Sequence, residues 1–239
     1  MIDIFNAKDL YITSDLHLFH TNIIKYCDRP FVDVKEMNEH IIEQFNELPK
    51  NSIVWILGDV AFGSFKHKYS DYGKVRQCID LMRKNNKTLV LLLGNHDKDF
   101  YKLFKEEFND NITLYKDLGF DYVYNRPILF NDNTIFSHEP VYIKPGSNFK
   151  NIHGHIHNAK MTEDYFALKI ENYDMRIVAG QKEGIKDLPP REKVNDKVIN
   201  LKDYRNVSID ATEYKILDLR KILWQPKMLK NFIIFQIKP

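Results

Sequence analysis

Five short apolar runs, each closing on an Asp, Asn or His, constrain this chain more than any other feature. Leu10–Thr13 leads into Ser14-Asp15-Leu16-His17, and Ile53–Leu57 into Gly58-Asp59. Leu89–Leu93 leads into Gly94-Asn95-His96-Asp97, and Thr134–Phe136 into Ser137-His138. Ile152 precedes His153-Gly154-His155-Ile156-His157. Runs this short, rich in Ile, Val and Leu and stopped by Gly or polar residues, predict buried strands. Between them, Met37, Ile41, Ile42, Phe45 and Leu48 recur at helical spacing ahead of Pro49. Val75, Ile79 and Met82 form a second stripe, and Phe100, Leu103, Phe104 and Phe108 a third; core packing accounts for all three. Alternating strands and helices predict an α/β sheet. In such sheets ligands gather beyond the carboxyl ends of the strands. Every polar cluster above falls at that end of its run, so the clusters predict one shared site.

Composition narrows the class of protein. A length of 239 residues, 44% hydrophobic and 28% charged, suits one substantial domain or one domain with an insertion. Lys plus Arg number 35 against 33 Asp plus Glu, which gives no electrostatic footprint for nucleic acid or membrane. No apolar run is long enough to span a bilayer, and Asp3 and Asp9 interrupt the start where a secretory signal would lie. Cys27 and Cys78 are too few for a disulfide framework, and they lack CxxC spacing. The expectation is a cytoplasmic protein. From Asn158 to about Arg205 charge becomes dense, Gly180, Gly184 and Pro189-Pro190 punctuate the chain, and apolar periodicity fades. That stretch, at about 158–205, reads as an insertion or cap within a single domain spanning 1–239. Asn206–Ile209 and Phe232–Ile237 read as strands again.

The polar clusters carry the chemistry. Of nine histidines, His17, His96, His138, His155 and His157 stand at strand ends beside Asp15, Asp59 and Asn95. Imidazole with carboxylate oxygen suits a borderline divalent ion such as Mn, Fe, Zn or Ni, and the lack of thiolate argues against a structural zinc site. Two ions about 3.5–4 Å apart need a bridging ligand, and a carboxylate is the natural bridge. Asp59, on the central run, is the candidate. Asp15-x-His17 and His155-x-His157 each place two side chains on one face if the segment is extended. Gly154 would let the main chain pass close to the site. Asp97 reads as a helix cap and His153 as structural.

The order Asp15-x-His17, Gly58-Asp59, Gly94-Asn95-His96-Asp97, His138, Gly154-His155-x-His157 resembles the calcineurin-like metallophosphoesterases, from roughly Leu10 to His157. Ser14–His20, Arg29-Pro30-Phe31 and Trp55–Asp59 look most like the small bacterial and phage-type members, and Asn206–Asp210 resembles the strand that closes the fold there. The resemblance implies an α/β fold, an αββα sandwich of two mixed β-sheets flanked by helices. It implies two divalent ions, manganese foremost, one held by Asp15, His17, Asp59 and His157 and the other by Asp59, Asn95, His138 and His155. His96 would contact the phosphate and protonate the leaving group. Two ions at a shared water would lower its pKa and supply hydroxide for in-line attack on phosphorus. His20, Asn22 and Arg29, just after the first pair, are candidates for substrate contact. Val60–Ser64 lacks the Asp and Arg that phosphoprotein phosphatases carry after their GD motif, which argues against a protein substrate.

The expected activity is therefore phosphoester hydrolysis, of a diester more than a monoester, on a small molecule or nucleotide. Two alternatives remain at this level. A nuclease would share the chemistry but need a basic channel, for which only Lys144, Lys150 and Lys160 flank the clusters. An interaction scaffold would show eroded ligands, and none of the positions is replaced by an apolar residue. Oligomeric state is unconstrained.

Overall fold

The computed structural model describes residues 4–5, 7–162, 165 and 199–223. The apolar runs become strands: β1 (Leu10–Thr13), β2 (Ile53–Ile56), β3 (Thr88–Leu92), β6 (Thr134–Ser137) and β7 (Lys150–His153). Shorter strands complete the set, namely β4 (Tyr122–Tyr124), β5 (Ile128–Leu129), β8 (Tyr204–Asn206) and β9 (Leu217–Asp218). Among the described residues, the helices are α1 (Thr21–Tyr26), α2 (Val34–Glu47), α3 (Lys68–Met82), α4 (Asn95–Lys102), α5 (Asn111–Asp117) and α6 (Leu219–Ile222). None is long and apolar enough to cross a membrane.

Two mixed sheets result. One runs β4-β3-β2-β1-β9, with β1 to β4 parallel and β9 antiparallel to β1. The other runs β5-β6-β7-β8, with β6 to β8 parallel and β5 antiparallel. Alternation along the central strands assigns the two faces of the first sheet. Val54, Ile56, Leu89 and Leu91 pack with Met37, Ile41, Phe45, Val75 and Ile79 of α2 and α3. Ile53, Trp55, Leu57, Val90 and Leu92 turn the other way and meet Phe136 and Ile152 of the second sheet. The strands of the first sheet are therefore apolar on both faces, as a parallel sheet covered on both sides requires.

Helix α2 shows how local signals fix the elements. Asp33 accepts from the amides of Lys35 and Glu36 at its start. Leu48, ahead of Pro49, is extended and stops it.

Two expected elements differ. The third stripe predicts helix through Phe108, but α4 ends at Lys102. Leu103 and Phe104 are buried from a tighter turn, their amides bonding Phe100 and Tyr101 oxygens. A periodicity of three to four does not separate an α-helix from such turns. The strand expected over Asn206–Ile209 ends at Asn206. Beyond it the chain crosses between the sheets: the Val207 amide bonds His153 O and the Ile209 amide bonds Ser14 O. A 3₁₀ turn over Ile209–Thr212 follows. Most of the 158–205 segment and all of Phe232–Ile237 lie outside the described residues.

Candidate metal centre

The parallel strands of both sheets end at one edge, and there the polar clusters meet. The Gly154 amide bonds His138 O at 2.9 Å, and the Ser14–Ser208 bridge joins the two sheets beside them. The segments carrying the side chains are not extended. Asp15, His17, Asp59, His155 and His157 have φ of 59, 50, 57, 70 and 50°, in the left-handed region. This corrects the extended reading of Asp15-x-His17 and His155-x-His157. The side chains converge because left-handed residues fold the loops back on themselves. Ladder bonds hold the first loop: Asp15 N to Gly58 O at 3.0 Å, His17 N to Asp59 O at 2.9 Å, and Leu18 N to Val60 O at 2.9 Å. Each such residue costs roughly 1–2 kcal/mol, and strain of this kind clusters at functional sites.

Of four overlapping groups of ligating atoms among the described residues, two consist wholly of expected ligands. Ligating atoms of Asp15, His17 and His157 lie within 4.8 Å of one another, as do those of Asp59, His138 and His155. In the second group Asn95 Oδ1 is 3.0 Å from both His138 Nε2 and His155 Nδ1. Asp59 Oδ2 lies between the groups, 3.5 Å from His17 Nε2 and 3.3 Å from His138 Nε2. Ligands bound at about 2.1 Å to a single ion lie roughly 3–3.5 Å apart, so these spacings suit metal coordination. His17 gives the sharper test. Both of its ring nitrogens are buried without a hydrogen-bond partner among the described residues. An unpaired buried polar group costs about 1–3 kcal/mol, and an ion beside Nε2 would remove that cost. The residues present fit two divalent ions.

A surrounding layer sets the orientation of these groups. His138 donates through Nδ1 to Leu57 O at 2.7 Å, which turns Nε2 toward Asp59 and Asn95. His157 donates through Nδ1 to Asp210 Oδ2 at 2.8 Å, leaving Nε2 directed at Asp15. Asp15 accepts from the His155 amide and from Ser208 Oγ. Asp59 Oδ1 accepts from the His96 amide at 2.9 Å. Asp97 is fully buried and does more than cap α4: it accepts from the amides of Asp59, Val60 and Gly94 and from the Tyr115 hydroxyl. Two glycines make room. A Cβ on Gly94 would stand 2.2 Å from Asp59 Oδ1, and one on Gly154 would stand 2.1 Å from Ser14 Oγ.

Charge is strongly coupled here. Burial opposes ionisation of Asp59, but His138, with His17 and His96 beyond it, holds its carboxyl well below the usual range. Burial opposes a charged His138 too, yet Asp59 and Asp15 raise it to about 9. His157 rises to about 10, its burial outweighed by the bonds to Asp210 and Cys27 and the charge of Asp15. His17, in contrast, is kept well below its ordinary value by burial.

The remaining candidates occupy different positions. His96, at the first turn of α4, is about one-third exposed, its ring 5.1 Å from that of His17. Its Nδ1 is 3.9 Å from Asp99 Oδ2, a carboxylate offered by the same helix rather than by the stretch after Asp59. His20 caps α1 through Nδ1, which accepts from the Ile23 amide, and its ring faces those of His17 and His96. Asn22 is exposed on α1. Arg29 is bonded within the protein. Its side chain is buried, forked onto Asp210 at 2.7 and 2.9 Å, and bonded to Asp15 O and Leu16 O at 2.8 and 3.0 Å. It is a clamp that ties the Asp15 loop to the carboxylate behind His157. His153 is buried, with Nδ1 on Gly154 O.

Residue type alone does not mark Asp210, Ser208 or Asp99 as part of the site. The one sequence signal for the first two is their place in Asn206–Asp210, because an imidazole ligand usually needs a carboxylate behind it.

The model of the calcineurin-like phosphoesterase family matches residues 9–220. An uncharacterized protein of Methanocaldococcus jannaschii is 39% identical over 105 residues, covering 44% of this chain and 55% of that protein. The gene 66 protein of Mycobacterium phage D29 is 32% identical over 92 residues, covering 38% of this chain and 41% of that protein. The chain thus spans about half the length of the relatives it matches. A solved protein of unknown function from Aquifex aeolicus is similar at TM-score 0.48 and 20% identity, covering 89% of this chain and 96% of that one. The nuclease MPE of Pseudomonas putida is similar at TM-score 0.40 and 18% identity, covering 62% and 61%.

Proposed function

Because this chain belongs to the calcineurin-like phosphoesterase family, we propose that it hydrolyses a phosphodiester of a small molecule or nucleotide with two divalent ions. The observation that carries this reading is His17. Its buried ring nitrogens have no hydrogen-bond partner among the described residues, although it sits among ligating atoms and 3.5 Å from Asp59, which lies between the two groups. Asp15, His17, Asp59 and His157 would hold one ion, and Asp59, Asn95, His138 and His155 the other, with manganese the first candidate. Bound ions supply charge to stabilise the phosphoryl oxygens and lower the pKa of an attacking water.

The chain's own residues account for the remainder. Asp210 and Leu57 O fix the tautomers of His157 and His138, so that Nε2 of each faces the site. The water oxygen forms a bond to phosphorus, the bond to the leaving oxygen breaks, and the water's proton passes to solvent. His96, beside the site and open to solvent, gives a proton to the leaving oxygen, with Asp99 near its Nδ1. Arg29 is engaged on every side, so it offers no guanidinium to the second negative charge of a monoester. That supports the diester.

Metal-stripped protein assayed with a chromogenic monoester and a bis-ester, with and without manganese, tests the reading. Manganese-dependent turnover of the bis-ester, lost in Asp59→Asn, is expected. Turnover by a metal-free Asp59→Asn protein would sink it. Absence of turnover with any ion would leave the scaffold alternative.

A further inference from the structure

A run of rings leads from the ligand groups to the surface. His157 and His17 are 5.0 Å apart by ring centroids, His17 and His96 5.1 Å, and His17 and His20 5.6 Å. His20 then meets Phe62 at 4.4 Å and Tyr26 at 6.1 Å. Exposure climbs along this run, from 1% at His17 and 9% at His20 to 42% at Phe62 and 73% at Tyr26. Phe62 is an open apolar side chain on a fixed backbone. Its amide bonds Leu18 O at 2.8 Å, and a Leu18–Ala61 bridge extends the parallel pairing up to it. Gly63 behind it packs toward Phe100, so the backbone there is seated while the ring stays open.

We propose that Phe62, backed by His20, is a stacking platform for an aromatic ring on the leaving-group side of the substrate, so that base-bearing phosphodiesters are the preferred class. The inference rests on the phosphoesterase reading, since the side is defined by His96, whose ring is 6.3 Å from that of His20. An exposed aromatic face joined to the acid through the His20 ring recognises a nucleobase without reading its edges, because every base has a π-face. Exposed Tyr69 instead meets Lys68 and Glu107, away from the ligand groups.

The experiment compares manganese-loaded protein on a dinucleotide and on its counterpart whose leaving sugar lacks the base. The leaving alcohol is the same, so the ratio of kcat/KM isolates the ring. A ratio of about ten is expected, from roughly one stacked base. It should fall toward one in Phe62→Ala and Phe62→Leu and be kept in Phe62→Trp. Calorimetry with a nucleoside 5′-monophosphate against the base-free sugar phosphate reads the same preference without catalysis. Equal values for the two ligands, or a preference that survives Phe62→Ala, would overturn the platform. If neither ester is cleaved but binding keeps the Phe62-dependent preference, the phosphoesterase reading fails, and with it the leaving-group side, while Phe62 stands as a base-stacking residue.

Discussion

At the scale of single residues, orientation and charge are decided by groups one step removed from the ligands. Asp210 holds His157 and is itself held by the Arg29 fork. Asp210→Asn should weaken manganese binding about 10–100-fold, read by competition with a fluorescent chelator; unchanged affinity would dismiss the role. Arg29→Ala takes the guanidinium from buried Asp210, which keeps its bond to His157, and should cost up to about 3–5 kcal/mol in urea unfolding of the metal-free protein. Arg29→Lys keeps the charge without the fork and should recover only part of this loss. Protons compete with the ions. In the metal-free protein His138 and His157 lie near 9 and 10, above the ordinary 6.5. Their contribution to stability is full below about 6.5 and is lost as pH rises through those values. Asp59 and Asp210 shift the other way, Asp210 because the bonds and charges of His157 and Arg29 outweigh its burial. Their contribution is present above about 3.9 and lost as pH falls. A cation needs neutral rings, so manganese binding at pH 7 should release about two protons. Calorimetry in buffers of different ionisation enthalpy measures this, and zero release would contradict the pairing.

At the scale of elements, the site depends on strands that stop and loops that fold back sharply. β1, β2, β3, β6 and β7 each deliver ligands just past their last residue, and Gly154 and Gly94 allow backbone to pass against Asp15 and Asp59. Gly154→Ala would drive a methyl into Ser14 and Asp15. Such overpacking should cost about 1–3 kcal/mol by denaturant titration, with a larger loss in manganese affinity than in global stability. Equal stability and affinity to the wild type would mean the loop has slack the geometry denies.

For the whole molecule, the two sheets and the ions reinforce each other. Trp55 is fully buried between the sheets, edge-on to Phe136 and against Tyr124, with its indole N–H on Ile4 O. Trp55→Ala should cost about 3–5 kcal/mol, and because the edge where the sheets meet forms the site, metal binding should weaken with it. Ions that bind only the folded state stabilise it by about 2.7 kcal/mol at a hundredfold excess over Kd. For a chain of this size that raises Tm by roughly 5–10 °C. Asp59→Asn should lose the rise, and a scanning calorimeter separates the two cases.

Sequence alone was enough for the five strands that carry the polar clusters, for the apolar stripes of α2 and α3, and for which residue types would crowd one edge. These are local matters: apolar runs of strand length, helical spacing and terminating polar residues read the same in any context. Tertiary structure alone decided the left-handed turns at Asp15, His17, Asp59, His155 and His157, since their strain is held only by long-range bonds such as Asp15 N to Gly58 O. It also turned Arg29 from a substrate candidate into a clamp on Asp210, 181 positions away. No local pattern encodes a partner that distant, because the bond exists only once the crossing after β8 brings the two sheets together.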